Sequence, residues 1–176
     1  TSLLSKGFYD WHLKTSLETQ LLYSEGKQAG QGSVQNYHYT QLTLTPKIDW
    51  SPLSWFNTTY LATLTCNRSR IGEGNSLPAL WNIRQKINLE IGNRPFLVRL
   101  IGEHYYNQLD KNNHQHVWLA DAEASYIKDK WRFSMSLCNL FNQKEYRYTT
   151  YSTIQQYTSW IKMRPREILV SIQYQL

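Results

Sequence analysis

The chain has 176 residues, enough for one domain or one piece of a larger one, and its 14% aromatic share, with thirteen Tyr and seven Trp, is high for an ordinary soluble protein. It holds no apolar run of the length a membrane-crossing helix needs and no low-complexity tract, so neither a transmembrane helix nor a disordered chain is expected. The net charge of +6 is scattered, with Arg68/Arg70 and Arg164/Arg166 the nearest approach to clusters, so nucleic acid is not an expected partner.

From Trp11 onward, Trp11, Leu13, Thr15, Leu17, Thr19, Leu21 and Tyr23 alternate with His12, Lys14, Ser16, Glu18, Gln20 and Leu22. This period of two predicts a strand over residues 10–24, since a helix would mix the two sets. A second strand, 36–50, sets Leu42, Leu44, Pro46, Ile48 and Trp50 against Thr43, Thr45, Lys47 and Asp49. In the third, 54–68, Phe56, Thr58, Tyr60, Ala62 and Leu64 oppose Asn57, Thr59, Leu61, Thr63 and Thr65. The fourth, 79–92, has Trp81, Ile83, Ile87, Leu89 and Ile91 against Arg84, Lys86, Asn88 and Glu90, with Gln85 the one polar exception on the apolar side. Phe96, Val98, Leu100 and Gly102 oppose Arg99 and Glu103 over 95–107, and Trp118, Ala120, Ala122, Ala124 and Tyr126 oppose Asp121 and Glu123 over 115–127. The last two strands, 131–141 and 165–176, carry Trp131, Phe133, Met135 and Leu137 against Arg132, Ser134 and Ser136, then Ile168, Val170, Ile172, Tyr174 and Leu176 against Glu167, Ser171, Gln173 and Gln175.

The connections alternate as well. Long ones, near 25–34, 69–77, 108–114 and 142–164, are separated by short turns at 51–54, 92–95 and 128–130, which puts long loops on one side, and short turns with both chain ends on the other. Eight antiparallel up-and-down strands with this asymmetry are the pattern of a transmembrane β-barrel, here the whole of a small one or the C-terminal part of a larger one. Alternation alone fits a soluble ligand-binding barrel too, with its apolar side turned inward. The aromatics separate the two: Trp11, Trp50, Phe56, Phe96, Tyr126, Trp131 and Tyr174 all fall on the apolar side near the short turns, as a membrane interface selects. On that reading the apolar stripes meet outer-membrane lipid, and Lys14, Glu18, Lys47, Asp49, Arg84, Lys86, Glu90, Arg99, Glu103, Asp121, Glu123 and Arg132 face a wet lumen. The absence of a basic-then-apolar leader before Thr1 is read as a processed protein or a fragment.

Two segments sharpen this. The run Asn139-Leu140-Phe141-Asn142-Gln143-Lys144-Glu145-Tyr146, followed by Arg164-Pro165-Arg166-Glu167 and the closing strand to Leu176, resembles the C-terminus of TonB-dependent outer-membrane receptors, particularly those of Bacteroidetes. There a strand ending in Asn-Leu-Phe-Asn precedes a long outer loop and a closing strand; this sequence departs from the usual pattern in ending on Leu176 instead of Phe. The resemblance is specific over 130–176 and general over the remainder. It implies a parent receptor for nutrient uptake of a glycan, peptide or metal chelate, in the bacterial outer membrane, with an N-terminal plug, further strands and energy supplied through TonB. A stand-alone eight-stranded barrel acting as an adhesin or enzyme is the alternative.

No catalytic site or cofactor is expected. His114 and His116 with Asp110 lack the three or four convergent ligands of a metal site, and Asp121 and Glu123 share their face with Arg99, Arg132 and Lys86, which suggests ion-paired lining instead of a carboxylate pair at work. Cys66 and Cys138 fall on separate strands and are expected to be free. Ligand contact, if this segment makes any, is assigned to Tyr146, Tyr148, Tyr151, Tyr157 and Trp160, whose rigid rings give contact area at small entropic cost.

Overall fold

A computed structural model describes residues 1–30, 33–72, 75–76, 79–109, 112–151 and 156–175. Twelve strands are assigned: β1 Ser2–Phe8, β2 Leu13–Gly30, β3 Ser33–Leu53, β4 Phe56–Ile71, β5 Asn75–Ser76, β6 Leu80–Asn93, β7 Phe96–Gln108, β8 His114–Lys128, β9 Trp131–Cys138, β10 Glu145–Tyr151, β11 Gln156–Lys162 and β12 Glu167–Tyr174. Nine of them form one antiparallel up-and-down sheet in the order β1-β2-β3-β4-β6-β7-β8-β9-β12, with β5 a short addition to β4, and β10 and β11 pair separately as a hairpin. There is no α-helix among the described residues; a single 3-10 turn at Tyr9–Trp11 joins β1 to β2.

Directly paired residues in an antiparallel sheet project to the same face, so the register carries each face across the sheet. Lys14 pairs with Asp49, Asp49 with Thr59, Thr59 with Asn88, Asn88 with Ile101 and Ile101 with Asp121. The opposite face runs from Thr15 through Ile48, Tyr60 and Ile87 to Gly102 and Ala120. Apart from a one-residue irregularity between Trp50 and Leu53 at the β3–β4 turn, the pairing keeps the apolar and polar sets apart, where a slip of one along a strand would exchange the two faces.

Three differences from the sequence reading follow. The meander has nine strands, not eight, because Ser2–Phe8 pairs with Leu13–Thr19 of β2. Trp11 consequently lies in the turn ahead of β2, stacked on Phe8 at 6.2 Å, and β1 runs back toward the long-connection side, so the two ends of the sheet are not both at the short turns. The connection near 25–34 is an extension of the β2–β3 ribbon, paired out to Gly30 and Ser33, and 142–164 contains the β10–β11 hairpin. Leu176 lies outside the described residues.

At the short-turn side the turns are laced to one another by backbone bonds. The amide of Ser51 donates to the His12 carbonyl (3.0 Å), Gly92 to Trp55 (2.7 Å), Ile127 to Pro95 (2.7 Å) and Gln175 to Lys130 (2.9 Å). Cys66 and Cys138 are free, on β4 and β9 with β6, β7 and β8 between them. At about 4.8 Å per strand that is roughly 19 Å, beyond any disulfide.

The distribution of burial is unusual for a water-soluble sheet. The buried apolar residues are Tyr39, Ala62, Leu80 and Val117 alone among those described, and no large side chain is fully enclosed. Leu21, Phe96, Met135, Ile168, Val170 and Ile172, all on the apolar face, are each more than half exposed. The accessible surface is 12670 Å², against about 9,000 Å² for a compact monomer of this mass. One sheet with an uncovered apolar face accounts for the excess.

Gly92 fixes the β6–β7 turn. Its φ of +123° is closed to L side chains, and a Cβ there would collide with the Phe96 carbonyl. Gly92→Ala is expected to cost about 1–3 kcal/mol, read as a lower urea midpoint of the folded protein. A midpoint equal to wild type would show that the turn relaxes without strain.

Candidate functional site

On the polar face most charges are held in pairs. Lys47 meets Asp49 at 2.8 Å, Arg99 meets Glu90 at 2.8 Å, and Glu103 takes both Lys86 (2.9 Å) and Arg84 (3.4 Å). All twelve residues assigned to this side by alternation do project from it by register. The partners differ from expectation: among the described residues neither Asp121 nor Glu123 is ion-paired with Arg99, Arg132 or Lys86, since Lys86 bonds Glu103, Arg99 lies opposite Glu123 in register but bonds Glu90, and Glu123 accepts the Ser125 hydroxyl at 2.9 Å. Asp121 in turn accepts the Asn139 backbone N–H at 2.7 Å, so each of the two carboxylates holds a local hydrogen bond of its own.

At the long-connection end of this face the β10–β11 hairpin leans on β7. The Tyr146 ring lies 4.9 Å from the Tyr105 ring, and Asn107 donates to the Arg147 carbonyl at 3.4 Å. Tyr105 is itself covered by the Arg84 guanidinium at 5.1 Å and donates its hydroxyl to Glu103. A rigid aromatic pair, two cations and a carboxylate thus meet where the hairpin crosses the sheet.

The five aromatics assigned to ligand contact do not form one cluster. Tyr146 pairs with Ile161 and Thr150 with Tyr157, which places Tyr146 and Tyr157 on one side of the hairpin. Trp160, opposite Arg147, is on the other, 72% exposed, with the guanidinium 4.7 Å over its ring. The side chains of Tyr148 and Tyr151 lie outside the described residues. Tyr105, Arg84 and Asn107 are the members of this cluster that alternation did not single out as contacts; their signal was only their place on the polar side.

Both legs of the hairpin are pinned by the Asn-Leu-Phe-Asn run. Asn139 and Asn142 occupy the left-handed region at φ 53° and 51°, which Asn tolerates better than most residues. The Asn139 amide donates to the Gln143 carbonyl (2.9 Å) on the outgoing leg and the Arg164 carbonyl (2.7 Å) on the returning leg, and its side-chain oxygen accepts from the Gln143 N–H (2.9 Å). Asn142 accepts from the Arg166 N–H at 3.2 Å. Asn139 is buried, so these bonds are made out of water.

The apolar face carries its own polar line. Tyr60 donates to Gln85 (2.9 Å), Gln85 lies 3.4 Å from His104 Nδ1, and His104 Nε2 lies 3.0 Å from His116 Nδ1. Trp118 stacks on His104 at 4.0 Å, and His114 abuts His116 and Tyr106. The polar exception Gln85 is thereby satisfied on an otherwise apolar surface. His104, not singled out by sequence, links His116 of β8 to this line. Among the described residues no three His, Cys, Asp or Glu side chains are grouped to hold a metal ion. Asp110 lies outside the described residues.

Two aromatic belts bound this face. Near the short turns Tyr174 touches Trp131 (4.8 Å), Trp131 touches Phe133 (6.1 Å), Phe133 touches Tyr126 (6.5 Å) and Tyr126 touches Phe96 (5.0 Å). Trp50 and Trp55 flank Phe56 at 5.9 and 6.2 Å. Toward the long connections stand Tyr23, Trp81, Tyr106 and Trp118. Tyr106 follows Phe96 by ten residues in β7, and Trp81 precedes Ile91, the partner of Phe56, by ten in β6. At about 3.3 Å per residue the belts stand roughly 33 Å apart along the strands.

Comparison of the chain with protein-family models, curated proteins and solved structures finds no match.

If Asn139 is the pin described, Asn139→Ala frees the hairpin while the sheet persists. Limited proteolysis within 145–162 is then expected to accelerate by about tenfold, the effect of losing one to two net hydrogen bonds. Cleavage at the wild-type rate would mean that the legs are held by other contacts.

Proposed function

We propose that this chain is a section of the wall of a transmembrane β-barrel in the bacterial outer membrane, and that the barrel is a TonB-dependent receptor for nutrient uptake. The observation that carries the membrane reading is the exposed apolar face between two aromatic belts. With a strand tilt of roughly 40°, the separation along the strands becomes about 25 Å across the sheet, the height of the apolar band of outer-membrane barrels. Water would make such a face costly: at about 25 cal/mol per Å², each exposed Val, Leu or Ile forgoes on the order of 1.5–3 kcal/mol of burial. Hydrocarbon removes that cost.

The paired charges of the opposite face suit a wet lumen, where ions remain solvated and screened. The edges of β1 and β12 make no pairing with each other among the described residues. Within a bilayer an open edge leaves backbone groups unsatisfied at several kcal/mol each, which favours a wall completed by further strands over a barrel closed by this segment alone. The receptor assignment itself rests on the Asn-Leu-Phe-Asn run and closing strand, and with it come a plug, TonB and an N-terminal remainder of the barrel as partners. The Tyr105–Tyr146 cluster under the hairpin is where the segment would meet a passing solute. Aromatic faces beside Arg84, Lys86 and Glu103 suit a polar solute with apolar faces, such as a glycan or peptide.

The membrane reading is tested with spin labels at Leu44, Leu89 and Val98 in the membrane-embedded protein. High access to oxygen and shielding from polar relaxation agents are expected at all three; the reverse profile would remove the reading. Leu89→Arg, near mid-strand on the same face, should cost about 2–4 kcal/mol in a lipid-based unfolding measurement, and a change below half a kcal/mol would argue for a watery surface.

A further inference from the structure

At and beyond the upper belt the lipid-side face is not neutral. Arg68 lies opposite Thr40 and Arg70 opposite His38, which puts both on the face of Leu44, Leu64 and Cys66. Both are exposed, and neither makes an ion pair among the described residues. Lys27, opposite Asn36, projects from the same face two strands away. The acid nearest in register is Glu25, already engaged by the Tyr23 hydroxyl at 2.7 Å and facing His38 at 3.7 Å. Among the described residues, three permanent cations thus meet one carboxylate. On the polar face Lys47, Arg84, Lys86 and Arg99 each have an acidic partner, while Lys14 and Arg132 make no ion pair among the described residues.

Height decides what could neutralise them. Arg68 stands twelve residues beyond Phe56 of the lower belt, which at the same rise and tilt is roughly 30 Å above it. Arg70 is about 5 Å higher by the same rise. An apolar band of about 25 Å ends below both, so their guanidinium groups sit at the depth of lipid headgroups. Residues two apart on a strand are roughly 6–7 Å apart, so two planar forks can close on one phosphate from either side or hold two neighbouring ones. Around the rest of the rim, the described residues of β6 to β8 present Trp81, Tyr106, Trp118 and histidines.

We infer that Arg68 and Arg70, with Lys27 beside them, form a binding patch for the phosphate of a lipid headgroup, specifically the phosphorylated glycolipid of the outer leaflet. The inference rests on the membrane reading above. It assigns β2 to β4 a lipid-specific contact where a uniform girdle would have none.

The test uses the intact protein in phosphatidylcholine vesicles containing diphosphoryl lipid A, with co-purified lipid counted by native mass spectrometry after detergent release. Wild type is expected to retain lipid A above its bulk share, and the double variant Arg68→Gln/Arg70→Gln to lose that excess by about tenfold or more. Lipid A stripped of its phosphates should not be enriched by either protein. Equal retention by wild type and variant, equal retention of the dephosphorylated lipid, or displacement of lipid A by millimolar inorganic phosphate would each overturn the inference. A spin label at Leu89 in the same vesicles separates the two levels of argument and reports that the variant is correctly inserted. An oxygen-accessible Leu89 without lipid A enrichment removes this inference alone; a water-accessible Leu89 removes the membrane reading and this inference with it.

Discussion

Register is the constraint on which the rest of this structure depends. A sheet without a second layer has no core to hold its strands in place, and only four described apolar residues here are buried. What remains is the backbone ladder and the requirement that every strand turn its apolar set the same way. Because side chains alternate with a period of two, slipping one strand by a single residue would send its whole apolar set to the polar side. The short turns enforce this locally: each joins strands whose paired residues already share a face, and each is bonded to the next turn along the rim. The aromatic belt grows from the same rule, since residues at one distance from the turns on one face become neighbours once the strands are aligned.

The alternation that exposed eight strands in the sequence is a signal of asymmetry, not of strand structure as such. It appears where one face is apolar and the other polar, as in Trp81–Ile91 or Glu167–Tyr174. Ser24-Glu25-Gly26-Lys27-Gln28 carries no such contrast, yet it is as firmly paired with β3 as the apolar part of the ribbon. On the membrane reading both faces of that extension are in water, so no selection for alternation acts on it. The same account covers β10 and β11, where Tyr, Thr, Arg and Trp fall on both sides. It covers β1 differently: Leu4 and Phe8 face the apolar side, but Lys6 interrupts them and Leu3 lies opposite, so seven residues hold too few regular positions to register as a strand.

The candidate site was legible only in its raw material. Sequence placed aromatic residues in 142–164 and cations on the facing side of β6, but nothing local indicates that Tyr146 meets Tyr105 across about forty residues of chain. That contact exists because Asn139 sets the direction in which the hairpin leaves the wall. Its amide and carbonyl oxygen bond both legs at once, and its own N–H is held by Asp121 of the neighbouring strand. The charge that alternation put on the polar side at position 121 therefore serves the loop geometry. A run read in the sequence as a resemblance acquires a mechanical meaning: two asparagines in left-handed conformations convert the end of β9 into the base of a paired hairpin, where a looser loop would leave Tyr146 without a fixed place.

The line from Tyr60 through Gln85 and His104 to His116 poses the converse question, why polar groups stand on the face that should avoid them. An unsatisfied amide in hydrocarbon costs several kcal/mol, and Gln85 escapes much of this because Tyr60 and His104 flank it on the adjacent strands. The line climbs as it crosses β4, β6, β7 and β8: Gln85 and His104 are directly paired, and His116 lies one pair of residues nearer the long connections. Its upper end thus reaches the aromatic belt, where Trp118 covers His104 and Tyr106 sits against His116. On the membrane reading, a polar strip shielded by rings can persist beside lipid because each member supplies its neighbour with the partner that water would otherwise provide. Removing one member alone would therefore leave the others exposed, and the strip is stable only as a unit.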